Sequence, residues 1–257
     1  MRTPWEIQQA VVKALFVREL KTRFGSSSLG YAWAVIGPFL QIMVLVIIFS
    51  VVSRNGYQGL AFALFFAPGI LLLNLFTNMA NSGVGTVRGN KGLFSYKQVK
   101  PFDAFLTRTL LESTIMMVSF LVIHGAFLWY GYEIPFHDPL MALCIFFCMV
   151  ANGMGFGLIF GSVGVHFKDF DKIISLLMRP LFFISCVIFP LIIIPREYHA
   201  LFLWNPLVHA IELLRVAIYP HYLAPGVNIG YLFSFSIASL FIGMLFYRRN
   251  WRAMVAS

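Results

Sequence analysis

The sequence predicts an all-α integral membrane protein with six transmembrane helices, an N-terminal amphipathic interface helix and a re-entrant helical segment before the last span. Three observations carry that reading. The 257 residues are 60% hydrophobic and 11% charged, where soluble domains carry about 25% charged residues. Apolar runs recur that match the ~20 helical residues needed to cross a hydrocarbon core of ~30 Å. Between the last two runs, a half-apolar stretch at about 200–220 is too short and too polar to cross, and Pro195 and Pro220 flank it. The length suits one membrane domain over 1–257, with nothing over for a soluble catalytic domain.

The net charge of +9 does not call for nucleic acid. With both termini in the cytoplasm, only Arg54, Arg196 and Arg215 of the 19 Lys and Arg fall outside, as positive-inside topology requires. Cys144, Cys148 and Cys186 lie in apolar runs without a CxxC pair. Small apolar packing is expected of them, not a disulfide or a metal site. The first apolar run is long enough to span and lacks the small-residue cleavage site of a signal peptide.

Residues 4–24 open on Pro4 and Trp5. Ile7, Val11, Val12, Leu15 and Phe16 share one face, and Glu6, Gln9 and Lys13 the other. This fits an interfacial helix anchored by Trp5, with a solvated helix as the alternative. The first span covers about 29–52. Ahead of it, Gly25-Ser26-Ser27-Ser28-Leu29-Gly30 has the glycine spacing of a phosphate loop, but Tyr31-Ala32 stands where Lys and Ser/Thr are required. ATP binding by this chain is therefore rejected, and the serines are expected to cap the span or form a hinge.

The second span, about 60–79, brings Asn74, Asn78 and Asn81 onto one helical face. Such amides either bond to a neighbouring helix or line a hydrated path. From Gly83 to Asp103 runs the longest polar stretch, with Arg88, Lys91, Lys97 and Lys100. Within it Asn90-Lys91-Gly92-Leu93-Phe94-Ser95-Tyr96 sets apolar and aromatic residues among charges, to rest on headgroups or to dock a cytoplasmic partner. The third span, about 105–130, places Arg108 and Glu112 four apart, which favours pairing within the helix over a proton relay. His124, deeper in, reads as a satisfied interhelical donor.

The fourth span, about 140–165, carries Gly153, Gly157 and Gly161 as a small-residue stripe for close helix approach, within or between subunits. His166 to Lys172 contains Asp169-Phe170-Asp171 beside Lys168. A D-x-D can hold a divalent metal on a sugar nucleotide, but here it reads better as the N-terminal charges of the next helix. The fifth span, about 173–194, is interrupted by Pro180 and Pro190 and should kink. The last span, about 229–247, precedes Arg248, Arg249 and Arg252.

At 200–220, Asn205 and Pro206 open a helix that puts His209, Glu212 and Arg215 on successive turns of roughly one face. Non-helical backbone at membrane depth survives only against protein or a wet cavity, so the surrounding spans are expected to supply one. The ten acidic residues are scattered, with no Ser-His-Asp or metal-ligand grouping. A transport path is better supported than an enzyme. Asn74, Asn78, Trp204, Phe182, Phe183 and Phe189 are the candidates to line it, because sugar rings stack on aromatic faces. His209 and Arg215 could meet acidic sugars or pair with Glu212. A secondary transporter and a membrane glycosyltransferase are the rival classes.

Leu15-Phe16-Val17-Arg18-Glu19-Leu20-Lys21-Thr22-Arg23-Phe24-Gly25, with Leu29-Gly30-Tyr31-Ala32-Trp33-Ala34, resembles the start of ABC-2 type permeases of the capsular polysaccharide exporter family (KpsM-like). Gly92 to Tyr96 with Val99-Lys100-Pro101, Phe182-Phe183-Ile184-Ser185-Cys186, and Leu203-Trp204-Asn205-Pro206-Leu207-Val208-His209 with Glu212-Leu213 and Arg215 resemble it too. O-antigen and teichoic acid permeases share that fold. The resemblance implies the ABC-2 (type V exporter) architecture and a permease that is not itself an enzyme. It implies a homodimer bound to two copies of a separate ABC ATPase, which holds the ATP and magnesium. The cargo would be a lipid-linked acidic polysaccharide, passed from the bacterial inner membrane to a periplasmic co-polymerase-type adaptor and an outer-membrane channel. Residues 4–24 would be the interface helix. Asn90, Lys91, Gly92, Leu93, Phe94 and Tyr96 would couple to the ATPase, with His166, Lys168 and Asp169 as a second contact. Trp204, Asn205, Pro206, His209, Glu212 and Arg215 would form the re-entrant periplasmic gate.

Overall fold

The computed structural model describes residues 3–25, 29–52 and 56–256. The serine run 26–28 and Arg54 lie outside the described residues. Ten α-helices make up the described chain: α1 (Pro4–Phe24), α2 (Trp33–Val52), α3 (Phe62–Asn90), α4 (Pro101–Trp129), α5 (Pro139–Gly164), α6 (Phe170–Met178), α7 (Leu181–Ile184), α8 (Arg196–Leu203), α9 (Pro206–Ile218) and α10 (Ile229–Ala256). Five stretches are long and apolar enough to cross a membrane, and the pair α8 and α9, bent by 106°, raises the number to six if it counts as one span.

Prolines and short polar side chains open the helices, as their missing N–H groups and spare oxygens favour. Thr3 caps α1 in a reciprocal box with Glu6, Asp138 accepts from the Met141 N–H ahead of α5, and Asn205 accepts from the Leu207 N–H ahead of α9.

Helix α3 is the axis of the fold. In its most apolar window 83% of residues are buried, against 6% for the span Gly30–Val51, which lies at the edge. It runs to Asn90, well past the expected end near 79, and α4 starts at Pro101. The polar stretch stays helical because Gly83, Val84 and Val87 are buried where α3 packs on α5. The glycine stripe explains the closeness. A Cβ on Gly83 would lie 2.3 Å from the Gly157 carbonyl oxygen, and one on Gly161 would lie 2.9 Å from that of Gly83. The stripe therefore packs helices within one chain. Gly155 and Gly243 do the same between α5 and α10.

Two helices carry an internal proline, Pro38 in α2 and Pro68 in α3. A proline has no N–H for the carbonyl four residues earlier, and lipid offers no substitute donor. Each freed carbonyl is met by a hydroxyl from another helix or its cap. Ser119 Oγ donates to Ala34 O at 3.1 Å, and Tyr219 Oη donates to Leu64 O at 3.4 Å.

The stretch 173–194 is broken more deeply than by kinks. It comprises α6, the single turn α7, irregular backbone over 185–190 and a 3-10 turn at Leu191–Ile193. Pro180 and Pro190 bound the break, and Cys186 between them has φ +56°, a left-handed conformation uncommon for a residue with a Cβ.

Candidate functional site

Helix α9 fills the space beside that break. Eleven of its 13 residues are buried, and it packs against α3, α5 and α10. The re-entrant segment thus rests on protein, which is one of the two settings that polar backbone tolerates at membrane depth. Arg215 has no exposed side-chain area and spreads its guanidinium over the broken segment. Its Nη1 donates to Cys186 O at 2.8 Å and its Nη2 to Val187 O at 3.0 Å. Nε donates to Phe65 O at 3.2 Å, and the group lies 3.6 Å from the Phe65 ring centroid.

Glu212, equally enclosed, accepts from Arg215 Nη1 at 2.7 Å and from Tyr222 Oη at 3.0 Å. The fixed fork of five donors suits this task, since a lysine could not reach three carbonyls and a carboxylate at once. Asn205 Nδ2 donates to Ser185 Oγ at 2.9 Å, and His199 Nε2 to Ile194 O at 2.8 Å. His209 donates from Nε2 to Leu203 O at 2.8 Å and accepts at Nδ1 from the Asn228 N–H at 2.9 Å. Both ring nitrogens are used, which fixes the neutral tautomer. Neither His209 nor Arg215 is therefore free to meet an acidic sugar: Arg215 pairs with Glu212, and His209 bonds to backbone groups instead. Of the gate candidates only Trp204 is strongly exposed, at 81%.

The amide stripe leads to a different place. A cavity of about 460 Å³ lies between α1, α2, α3 and α4, with Arg23, Trp33, Gln41, Asn74, Asn78 and Glu112 on its wall. Asn74 Nδ2 donates to Gln41 Oε1 at 3.1 Å, and Asn78 Nδ2 lies 3.5 Å from Glu112 Oε2. Asn74 and Asn78 bond across helices and line a polar hollow, whereas Asn81 is not on its wall and its buried Oδ1 has no hydrogen-bond partner. Phe182, Phe183 and Phe189 do not line it. Phe182 packs on the main core, Phe183 is exposed, and Phe189 packs beside Phe202. The structure does not gather the amides and these aromatics on one wall.

Charges tie this cavity to one end of the bundle. Glu112 pairs with Arg108 one turn away at 3.2 Å, as the spacing predicts, and also with Arg23 of α1. Arg108 reaches Glu19 at 3.4 Å, Glu19 pairs with Arg18 at 3.1 Å, and Arg18 donates to Asn90 Oδ1. The N-terminal helix is thereby docked on the side that buries Leu15, through Arg18, Glu19 and Arg23, while the expected polar face of Glu6, Gln9 and Lys13 stays exposed. His124 differs from expectation. Its Nδ1 donates to Phe120 O of its own helix at 2.9 Å, and its buried Nε2 has no hydrogen-bond partner.

At the bundle end Arg88, just ahead of the expected coupling stretch Asn90 to Tyr96, holds the second stretch. Arg88 Nη2 donates to Phe167 O at 3.1 Å and Lys168 O at 2.7 Å. Arg88 Nη1 pairs with Asp171 at 3.4 Å, and Lys172 pairs with Asp169 at 2.8 Å. The Lys172 hydrogen bond holds the Asp169 carboxyl below its ordinary range. Asp169 and Asp171 thus lie as paired charges at the start of α6, the structural alternative to a metal-binding D-x-D. His166 Nε2 lies 3.1 Å from Asn250 Oδ1 on α10. Within Asn90 to Tyr96, however, the expectation of exposed aromatics is half wrong. Tyr96 is 65% exposed, but Phe94 is 5% exposed and packs in a small core with Val87, Phe105, Leu158 and Met254. Asn90 is buried as well. A phenylalanine and a tyrosine two apart look alike in sequence, and only the packing of α3, α4 and α10 separates them.

A bundle of membrane-length helices around a sharply bent helix pair, with a polar cavity and a docked N-terminal helix, fits a membrane transport subunit. The family model described as "ABC-2 type transporter" matches residues 10–219, and the chain belongs to that family. It is a permease, not an enzyme. The polysialic acid transport protein KpsM of Escherichia coli is 37% identical over 256 residues, covering 100% of this chain and 99% of that protein. The capsule polysaccharide export inner-membrane protein BexB of Haemophilus influenzae is 27% identical, covering 93% and 90%. The O-antigen export system permease protein RfbA of Myxococcus xanthus is 25% identical, covering 81% and 80%.

Proposed function

We propose that the chain is the permease subunit of an ATP-driven exporter that moves lipid-linked capsular polysaccharide across the bacterial inner membrane. The full-length similarity to KpsM carries this reading, and the lower identity to an O-antigen permease favours capsule over O-antigen as the cargo. The chain works as a homodimer with two copies of a separate ABC ATPase, which takes the ATP and magnesium, and both termini face the cytoplasm. Polymer passes from it to a periplasmic adaptor and an outer-membrane channel. The exposed Tyr96, with Lys91 and Lys168, engages the ATPase. The ladder from Asn90 through Arg18, Glu19 and Arg108 to Glu112 carries movement at that contact to the cavity at Asn74 and Asn78, and the re-entrant pair closes the outer end.

The test is complementation of an encapsulated strain lacking its own capsule permease. The wild-type chain restores surface polysaccharide, whereas Asn74→Leu with Asn78→Leu, present in the membrane at equal level, does not. Wild-type export by the double variant removes the amides from the path, and failure of the unmodified chain overturns the proposal.

A further inference from the structure

A second hollow, about 510 Å³ in volume, lies between the stretch 94–101 and the C-terminal end of α10. Lys97, Lys100 and Arg248 contribute cations to its wall, and Tyr96, Tyr247 and Trp251 contribute aromatic rings. No acidic side chain lines it. Among the described residues, no ion pair engages any of the three cations. Asp103, three residues beyond Lys100, is buried, and its carboxylate already accepts from the Lys100 N–H at 3.0 Å and from Gln8 Nε2 at 3.2 Å. Three cations on one wall without an ion-pair partner create a local positive potential that an anion relieves.

The location says which anion. The apolar part of α10 ends at Tyr247-Arg248, and Pro101 opens the membrane helix α4, so the hollow sits where a span leaves the hydrocarbon. Trp and Tyr rings favour that level, and basic pockets between spans take acidic headgroups. Val99, Trp251 and Val255 give the same hollow an apolar side. A wholly soluble anion would leave that side wet, whereas the glycerol and ester region of a lipid covers it.

We propose that this hollow is a binding site for the phosphodiester headgroup of an anionic membrane phospholipid. The phosphate sits among Lys97, Lys100 and Arg248, and the rings of Tyr247 and Trp251 hold the glycerol region. The site is separate from the amide-lined cavity and does not depend on the transport reading.

Intact-mass measurements on the full chain in detergent, titrated with phosphatidylglycerol or phosphatidylcholine, test this. The wild type is expected to retain phosphatidylglycerol selectively. Lys97→Ala with Lys100→Ala and Arg248→Ala is expected to lose about a hundredfold in apparent affinity for it, at about fivefold per cation near an anionic surface, with phosphatidylcholine binding unchanged. All three side chains are exposed, so the variant should melt with the wild type before lipid is added. Lys97→Arg with Lys100→Arg keeps the charges and should retain binding, and Lys13→Ala, on α1, should have no effect. Equal retention of the two lipids by the wild type overturns the proposal, as does undiminished phosphatidylglycerol binding by the triple variant. Displacement of the lipid by millimolar inorganic phosphate would mark a free-phosphate site and equally overturn the lipid assignment.

Discussion

Arg215 and Glu212 lie one helical turn apart with Nη1 and Oε1 at 2.7 Å and no exposed side-chain area on either. The contact is more than an ion pair, because the same guanidinium holds the carbonyls of Cys186 and Val187 where the chain between α7 and Pro190 has no helix to satisfy it. Arg215→Met strands a buried carboxylate and those carbonyls together, and a loss of at least ~3–5 kcal/mol is expected. Adding Glu212→Leu removes the stranded charge but not the two carbonyls. The double variant should therefore recover only part of the thermal stability measured in detergent. Full recovery would show that the carbonyl contacts contribute little.

The hydroxyls that meet proline-freed carbonyls act independently of each other. Ser119→Ala and Tyr219→Phe should each cost about 1 kcal/mol, the scale of interhelical hydrogen bonds in membranes, and the pair should add. Unfolding of the single and double variants checks this. A strongly non-additive result would contradict the assignment of one hydroxyl to each proline.

Backbone contact between α3 and α5 sets a steric limit. Gly83→Ala drives a methyl into the Gly157 carbonyl, with nothing flexible to give way, and should destabilise by about 1–3 kcal/mol. Gly85, two residues on, is exposed and has open space around its Cβ position. Gly85→Ala should be neutral or slightly stabilising, since alanine is the better helix former. Comparing the two melting temperatures separates packing from propensity.

Asp169 and Lys172 should contribute nothing that pH can reveal near neutrality. A carboxyl held below its ordinary range contributes stability above its unfolded pKa and loses it as pH falls through the lower folded value. Both values lie within or below the ordinary carboxylate range, and the pair is solvent-exposed. Because the pair is exposed, Asp169→Asn should melt close to the wild type at neutral pH, and any small difference should vanish in acid, where Asp169 is protonated. A large stability loss at neutral pH would point to a metal or partner at Asp169 and reopen the D-x-D reading.

The legible part of the fold was whatever depends on neighbours in sequence. Asn205 and Pro206 announced the start of α9, Arg108 and Glu112 announced their own pairing, and Pro180 with Pro190 announced a disturbance over 173–194, though not that no span-length helix would form there. What the sequence did not disclose depends on groups far apart in the chain. Arg23 meets Glu112 across 89 residues, Arg215 meets Phe65 across 150, and neither partnership leaves a periodic trace. The same holds for the length of α3. Its polar end reads as loop by composition, and becomes helix because glycines let α5 come close enough to bury Val84 and Val87. Phe94 was misread for that reason as well, since a hydrophobe in a polar stretch signals a covered surface without saying what covers it.

We propose that a partner ATPase drives this permease through its basic end face. The most direct measurement is ATP hydrolysis and co-purification of the exporter's ATPase subunit, with and without this chain in lipid nanodiscs. The account predicts a stable complex with altered hydrolysis, lost in Tyr96→Asp while that variant melts with the wild type. Phe94→Asp, which places a charge in a closed core, should instead lower the melting temperature. An ATPase that neither binds the wild-type chain nor changes its turnover in its presence would contradict the account.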